Sequence, residues 1–367
     1  MSNTRDERPA LGEPMEVIFL DVGHGCCTII VTPRDHSVIM VDCKFGAGPA
    51  ALSYLSRMDL GDPTAFFISH LHEDHVAGFA DIFRKLIERK ATVKRVYSNC
   101  VGHTTRKRTR LGGQAVFDQM RDLLDDDAQK LRLFCTTESP WSCDKITFRI
   151  LHPESFDLHQ HQDRDEMLNE LSGVLRIEFG RSSVLLPGDV QGWAVSRLVR
   201  RNGASLRSSL LLFPHHGAAW EDCDPAGRRV VVMGEEVVSP DVLVQAVAPT
   251  WTVLSVGTDN DGHWDEWHHP SRGTLANLRR WHGTDEDGSK GFVCTEATPH
   301  CEMPILCSPV RCGGDLRFRL YENGCVELAN PKYGSWQEVV SSLATPQCKE
   351  PQIGLRRRNI REIDLAP

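Results

Sequence analysis

At 367 residues, with 40% hydrophobic and 25% charged side chains, the chain has room for one large globular domain or two modest ones. No apolar run approaches the length that spans a bilayer, and the polar start lacks an apolar segment ahead of a cleavage site, so the expectation is a cytoplasmic protein with no membrane partner. The net charge of −8 argues against a surface built throughout for nucleic acid, because phosphate contacts need clustered Lys and Arg.

In chain order, strand-like runs at 16–20, 28–31, 37–41 and 64–69 precede a helical pattern at 78–89, with a shorter one at 51–60 between them. Residues 99–135 read as an insertion. It carries the basic run Arg106, Lys107, Arg108 and Arg110, the acidic Asp125–Asp127 and a helical pattern at 114–131. A second strand set follows at 146–150, 174–179, 184–186 and 209–213, with helical patterns at 191–200 and 274–281. Further on, 316–321 and 325–328 alternate at strand period around Glu322-Asn323-Gly324, a hairpin signal. The reading divides the chain into a domain at 15–283 and a Cys-rich extension at 284–367 that ends in the basic tail Arg356–Arg361.

The 13 cysteines, with no export signal, predict reduced thiols. Cys26, Cys27 and Cys43 fall in apolar surroundings and read as buried small hydrophobes. Cys294, Cys301, Cys307 and Cys312 cluster late, but their spacing lacks the close Cys-x-x-Cys pairs of a structural zinc site.

The chemistry concentrates in His70-Leu71-His72-Glu73-Asp74-His75. An apolar strand-like run leads into it and a helical pattern leaves it, which places it on a strand-to-helix turn. Such a turn aims successive side chains at different sides of one cavity, so His70 and His72 could hold one ion while Asp74 and His75 hold its neighbour. Neutral imidazole with carboxylate suits zinc, manganese or iron. Two divalent ions are expected, zinc first and manganese second.

This cluster resembles the metal motif of the metallo-β-lactamase superfamily, His-x-His-x-Asp-His after a strand. Phe19-Leu20-Asp21-Val22-Gly23-His24-Gly25, Asn169 to Ser172, Leu186-Pro187-Gly188-Asp189 and Pro214-His215-His216-Gly217 narrow the resemblance to the soluble hydrolase domain of the ComEC-type competence DNA-uptake family, from about residue 15 to about residue 280. The resemblance implies an α/β fold, a four-layer αββα sandwich, here with a C-terminal extension. It implies that Asp189 bridges the two ions, that Asp42 supports the metal loop from behind, and that Asn169 and Ser172 stand where the wider superfamily has a further histidine. Among the late histidines, His215 and His269 are favoured as ligands over His216 and His268. His24 and His216 are read as substrate contacts. His152 is read as structural.

The expected activity is hydrolysis, with Asp74, Asp189 and His215 assigned to the reaction. A phosphodiester such as DNA is the first substrate class, because the ComEC-type family is linked to DNA processing and because Arg106 to Arg110 could hold a phosphate backbone. Two alternatives stand beside it. One is a small-molecule hydrolase of esters, lactones, amides or cyclic nucleotides. The other is a regulatory or binding module of a multi-protein bacterial system, docking a protein partner through the Cys-rich end.

Overall fold

The computed structural model describes residues 12–44, 46–99, 116, 119–120, 122–124, 130–161, 167–218, 220, 228–232, 234–257, 269–282, 291–295 and 314–329. The basic run at 106–110, Cys301, Cys307, Cys312, His268 and the tail at 356–361 lie outside them.

Two large sheets stack face to face. The first contains β1 (Met15–Phe19), β2 (Cys27–Val31), β3 (Val38–Cys43), β4 (Pro63–Ile68), β5 (Arg95–Ser98) and β6 (Leu131–Leu133) in that order. Two late strands, β16 (Leu316–Leu320) and β17 (Val326–Leu328), extend it beyond β1. The second sheet runs from β15 (Gly291–Cys294) through β14 (Trp251–Leu254), β11 (Leu210–Leu212), β10 (Ser182–Leu186) and β9 (Val174–Phe179) to β8 (Ile146–His152) and β7 (Trp141–Cys143). A two-stranded ribbon, β12 (Val231–Val232) with β13 (Glu235–Glu236), stands apart from both.

Burial explains the strand sequences. Every residue of Cys-Thr-Ile-Ile-Val in β2 and of Val-Ile-Met-Val-Asp-Cys in β3 is buried, as expected for strands covered on both faces. β16, Leu-Arg-Phe-Arg-Leu, alternates instead: Leu316, Phe318 and Leu320 point inward, while Arg317 and Arg319 meet Glu16 on the neighbouring β1.

Three apolar layers follow. Between the sheets lie Phe67, Tyr97, Phe148, Phe179, Trp251 and Phe318. Outside the first sheet, Phe66 packs edge-on against Phe79 and Phe83 of α3 (Phe79–Arg89), with α1 (Gly48–Arg57) alongside. Phe79, Ile82, Phe83 and Leu86 recur at helical spacing on the buried face of α3. Outside the second sheet, Trp193, Leu198, Leu243 and Leu275 bring in the helices Gly192–Asn202, Pro240–Val247 and Arg272–His282. The result is the four-layer αββα sandwich. Among the described residues, no helix is long and apolar enough to cross a membrane.

Two elements differ from the reading of the sequence. Strands from beyond residue 283 complete both sheets: β15 pairs in parallel with β14, and β16 pairs along all of β1. Leu316, Phe318 and Leu320 belong to the layer between the sheets, so apolar burial ties the described part of the extension to the sandwich. The helical pattern ending at 131 is cut short because Leu131 opens β6, which pairs with β5.

Candidate metal centre

β3, β4 and β5 run parallel to one another, as do β10, β11, β14 and β15. Their C-terminal ends release Asp42, the 69–75 turn, Gly188-Asp189, the 214–217 turn and Ser255 toward one place. The crevice beyond the carboxyl ends of parallel strands is where such sheets expose functional loops.

The 70–75 segment has the strand-to-helix form. β4 ends at Ile68, His72 is extended at φ −70 and ψ 148, and α2 (Glu73–Val76) begins at once. The extended stretch turns His70 and His72 together, with His70 Nε2 3.1 Å from His72 Nδ1 and 3.7 Å from Asp189 Oδ2. The helical turn sends Asp74 and His75 to the other side. There His75 Nε2 stands 3.1 Å from Asp189 Oδ1 and 3.3 Å from His216 Nε2, and His216 Nε2 stands 3.1 Å from Asp74 Oδ2.

Two groups that could hold an ion result, His70–His72–Asp189 and Asp74–His75–Asp189–His216, with Asp189 common to both. Metal bonds of about 2.0–2.2 Å in a tetrahedral site separate neighbouring ligand atoms by about 3.3–3.6 Å. The observed spacings bracket that range.

Hydrogen bonds behind the ligands orient them. His75 Nδ1 donates to Asp42 Oδ2 at 2.8 Å, and Asp42 also accepts from Ser69 N–H and Ser69 Oγ–H, both at 2.7 Å. His216 Nδ1 donates to the Ser255 carbonyl at 2.8 Å, because only an N–H can meet a carbonyl oxygen. With both Nδ1 atoms committed as donors, the facing Nε2 atoms of His75 and His216 present lone pairs to a shared space that a cation fits. Asp189 Oδ1, buried without a hydrogen-bond partner, borders the same space.

The electrostatics favour positive charge in that space, which protons on the imidazoles supply when no cation does. Burial opposes charge on His75 and His216, yet Asp189 and other neighbours hold both well above the ordinary imidazole value. Burial likewise opposes the Asp189 carboxylate, but His75 and His216 hold it well below the ordinary range. His70 is pushed down by burial and then by the adjacent His75. Buried carboxylates that stay ionised among imidazoles make a place that attracts positive charge.

Two glycines permit the convergence. Gly188 has φ +58, and a Cβ there would meet Ser172 Cβ at 2.9 Å and Ser69 Cβ at 3.0 Å, so the Gly188-Asp189 turn lies directly against the metal loop. Gly25 has φ +135, and a Cβ there would stand 2.8 Å from the Asp74 carbonyl. The 23–26 loop can therefore press onto α2.

Residues 20–126 match the family described as the metallo-beta-lactamase superfamily. The chain carries a metallo-β-lactamase superfamily domain. A stretch of 160 residues, 42% of the chain, is 28% identical to competence protein ComA of Neisseria gonorrhoeae and spans 19% of that protein's length. Similar solved structures include CmlA, a diiron β-hydroxylase from Streptomyces venezuelae (TM-score 0.44, 12% identity, covering 85% of this chain and 55% of that one). They also include the metallo-beta-lactamase fold protein YhfI from Bacillus subtilis (TM-score 0.42, 15% identity, covering 77% and 96%).

The late histidines, which lie beyond the matched residues, are arranged differently from the expectation. His216 joins the Asp74–His75–Asp189 group, and His215 does not. Both have positive φ, 49° and 53°, and this pair of left-handed residues turns the second ring into the centre and the first toward the rim. His215 Nε2 instead lies 3.4 Å from Asn169 Nδ2. His269 also stands outside the two groups, with its ring 5.2 Å from that of His215 and 5.5 Å from that of His24. His24 Nε2 is 3.9 Å from Asp74 Oδ2, and its ring centroid is 4.4 Å from that of His216.

His24, His215 and His269 thus form a rim above the two groups. Burial, first of all, lowers all three imidazoles, His24 and His269 to about 3. Ser172 Oγ accepts from Asp189 N–H at 3.1 Å, which steadies the shared carboxylate. His152 bonds the Glu170 carbonyl at 2.7 Å, away from the centre.

Cys26 is buried in the apolar layer between the sheets, as the sequence reading has it, and it also stands beside the imidazoles, which that reading did not note. Its sulfur and a ligand nitrogen from each of His75 and His216 lie within 4.8 Å of one another. The available signal was strand alternation: Cys27 faces the layer under α1 and α3, which turns Cys26 to the space between the sheets, where the centre opens.

Proposed function

We propose that the chain is a metal-dependent hydrolase working with two divalent ions, and that its first substrate class is a phosphodiester. The observation that carries the reading is the pair of ligand groups joined through Asp189. Two cations held there would supply an activated water and neutralise charge developing on a phosphoryl oxygen.

The protein's own share of the work can be read from its hydrogen bonds. Asp42 and the Ser255 carbonyl hold the Nδ1 protons of His75 and His216, so that both Nε2 atoms face inward. The Ser172 hydroxyl holds the backbone of Asp189, whose buried carboxylate borders both ligand groups. Asp74, anchored through its carbonyl by Cys26 N–H at 2.8 Å, presents Oδ2 between His216 and His24. The rim imidazoles, uncharged at neutral pH, can give or take a hydrogen bond at a substrate oxygen without carrying charge into the pocket.

The phosphodiester reading draws its support from the partial likeness to ComA and from the basic run at 106–110, which lies outside the described residues. The uncharged rim of His24, His215 and His269 favours a second reading, hydrolysis of a small uncharged ester, lactone or amide.

Labelled single- and double-stranded DNA, bis(p-nitrophenyl) phosphate and a panel of lactones and esters, each with zinc or manganese, separate the two. Metal-dependent phosphodiester cleavage that disappears in Asp189→Ala supports the first reading. Turnover confined to uncharged esters or lactones replaces it with the second.

A further inference from the structure

Cys26 takes no part in the chemistry outlined above, yet it is placed as a ligand would be. Its backbone is fixed at both ends: its N–H donates to the Asp74 carbonyl at 2.8 Å, and its own carbonyl accepts from Lys44 N–H at 2.9 Å. The contact that settles the loop against α2 therefore also sets the thiol beside the imidazole pair. All three members of the Cys26–His75–His216 group are buried. The next cysteine serves as an internal contrast, since Cys27 Sγ lies 3.8 Å from Cys43 Sγ on the opposite face of β2, in an apolar layer. A second, independent feature marks the space as a ligand position: Asp189 Oδ1, on a side chain only 2% exposed, lacks a hydrogen-bond partner and sits 3.1 Å from His75 Nε2.

We propose that Cys26 is a thiolate ligand to the cation held by His75 and His216, biasing that position toward thiophilic ions such as zinc over manganese. The proposal rests on the two-metal reading. On coordination the sulfur gives its proton to solvent as the metal–sulfur bond forms, and no electron changes hands. Thiolate is a softer donor than the carboxylates that complete the group, so it selects against hard, oxygen-preferring ions.

Cobalt(II) in place of zinc provides a readout independent of turnover, because a thiolate ligand adds an intense near-ultraviolet sulfur-to-cobalt charge-transfer absorption. The full chain is loaded with cobalt as wild type, as Cys26→Ser, and as a variant with Cys301, Cys307 and Cys312 all changed to Ser, which removes competing late thiols. The expected result is a band in the wild type and the triple variant that is lost in Cys26→Ser, together with a shift of zinc–manganese competition toward manganese. A band retained in Cys26→Ser, or no band in wild type with two cobalt ions bound, overturns the proposal. Failure of the wild type to bind cobalt or zinc at all overturns the two-metal reading itself. Should Cys26→Ser not fold, zinc-edge X-ray absorption on the triple variant decides. Sulfur scattering at about 2.3 Å supports Cys26 as a ligand, and a shell of only nitrogen and oxygen refutes it.

Discussion

Two of the places where the described residues bury histidines solve the same physical problem in opposite ways. Behind the second sheet, His152 bonds the Glu170 carbonyl at 2.7 Å and lies edge-on to Trp193, while Asp157 is paired with Arg197 at 2.6 Å. His152 and Asp157 there each have a protein partner of complementary kind. At the strand ends, by contrast, His70, His72, His75 and His216 turn nitrogens toward one another and toward Asp74 and Asp189. Burying imidazole is thus compatible with a purely structural role. What distinguishes the second pocket is that four imidazoles and two carboxylates converge on one centre, where the carboxylates draw positive charge that protons on His75 and His216 supply unless a cation takes their place.

The largest effect is expected at the residue common to both ligand groups. Asp189→Ala should cut hydrolysis on the order of 10³-fold and lower the number of ions bound, while leaving the αββα core intact, since Asp189 fills none of the three apolar layers. Full turnover with two ions still bound would erase the contrast between the pockets.

A sharper comparison sets the two adjacent rings of the 214–217 turn against each other. His216→Ala should remove one of the two ions, seen by metal analysis after gel filtration, and lower turnover by roughly a hundredfold or more. His215→Ala should keep both ions and change turnover less. The reverse pattern would show that the ion sits nearer the rim than the His75–His216 spacing indicates.

How much of this was legible beforehand follows from the same residues. Period-2 and period-3.6 patterns located β1 to β4, β8 to β10 and α3, because those segments bury one continuous face or both. The 70–75 motif and Gly188-Asp189 announced themselves by residue type. Which late histidine joins the Asp74–His75–Asp189 group was hidden because the choice between His215 and His216 depends on two successive left-handed φ values, which neighbouring histidines do not encode in any period. The closeness of Cys26 to the imidazoles was hidden for a related reason: its burial was legible, but its neighbours depend on the press of Gly25 on the Asp74 carbonyl. The strand pairing of the late segment was also out of reach, because β16 joins β1 across the whole length of the domain.

Asp42 tests whether the orienting bonds matter as much as the ligands. Asp42→Asn keeps the size but offers one acceptor oxygen where Ser69 N–H, Ser69 Oγ–H and His75 Nδ1–H now share two. Metal affinity should fall by about 10- to 100-fold, with the apo fold retained. An unchanged affinity in metal-competition titrations would show that His75 needs no partner behind it.

The smallest effect belongs to the other pocket, where the groups answer to pH instead of to metal. Burial lowers His152 from its ordinary 6.5 to about 4, so between those values the unfolded chain binds more protons and stability falls as the pH falls. Glu170 is shifted the other way: burial, opposed by backbone N–H bonds including that from Ala194, raises it from 4.5 to about 7. Over that window the folded chain binds more protons, and stability rises as the pH falls. At about 1.4 kcal/mol per pH unit for each group, the two trends nearly cancel between pH 6.5 and 4.5. Glu170→Gln removes one of them. The gap in thermal midpoint between wild type and Glu170→Gln, both measured with chelator present, should therefore widen in favour of the wild type as the pH drops from 7 to 4.5. A gap that stays constant with pH would mean that Glu170 is ionised in the fold over that range and that burial does not raise it.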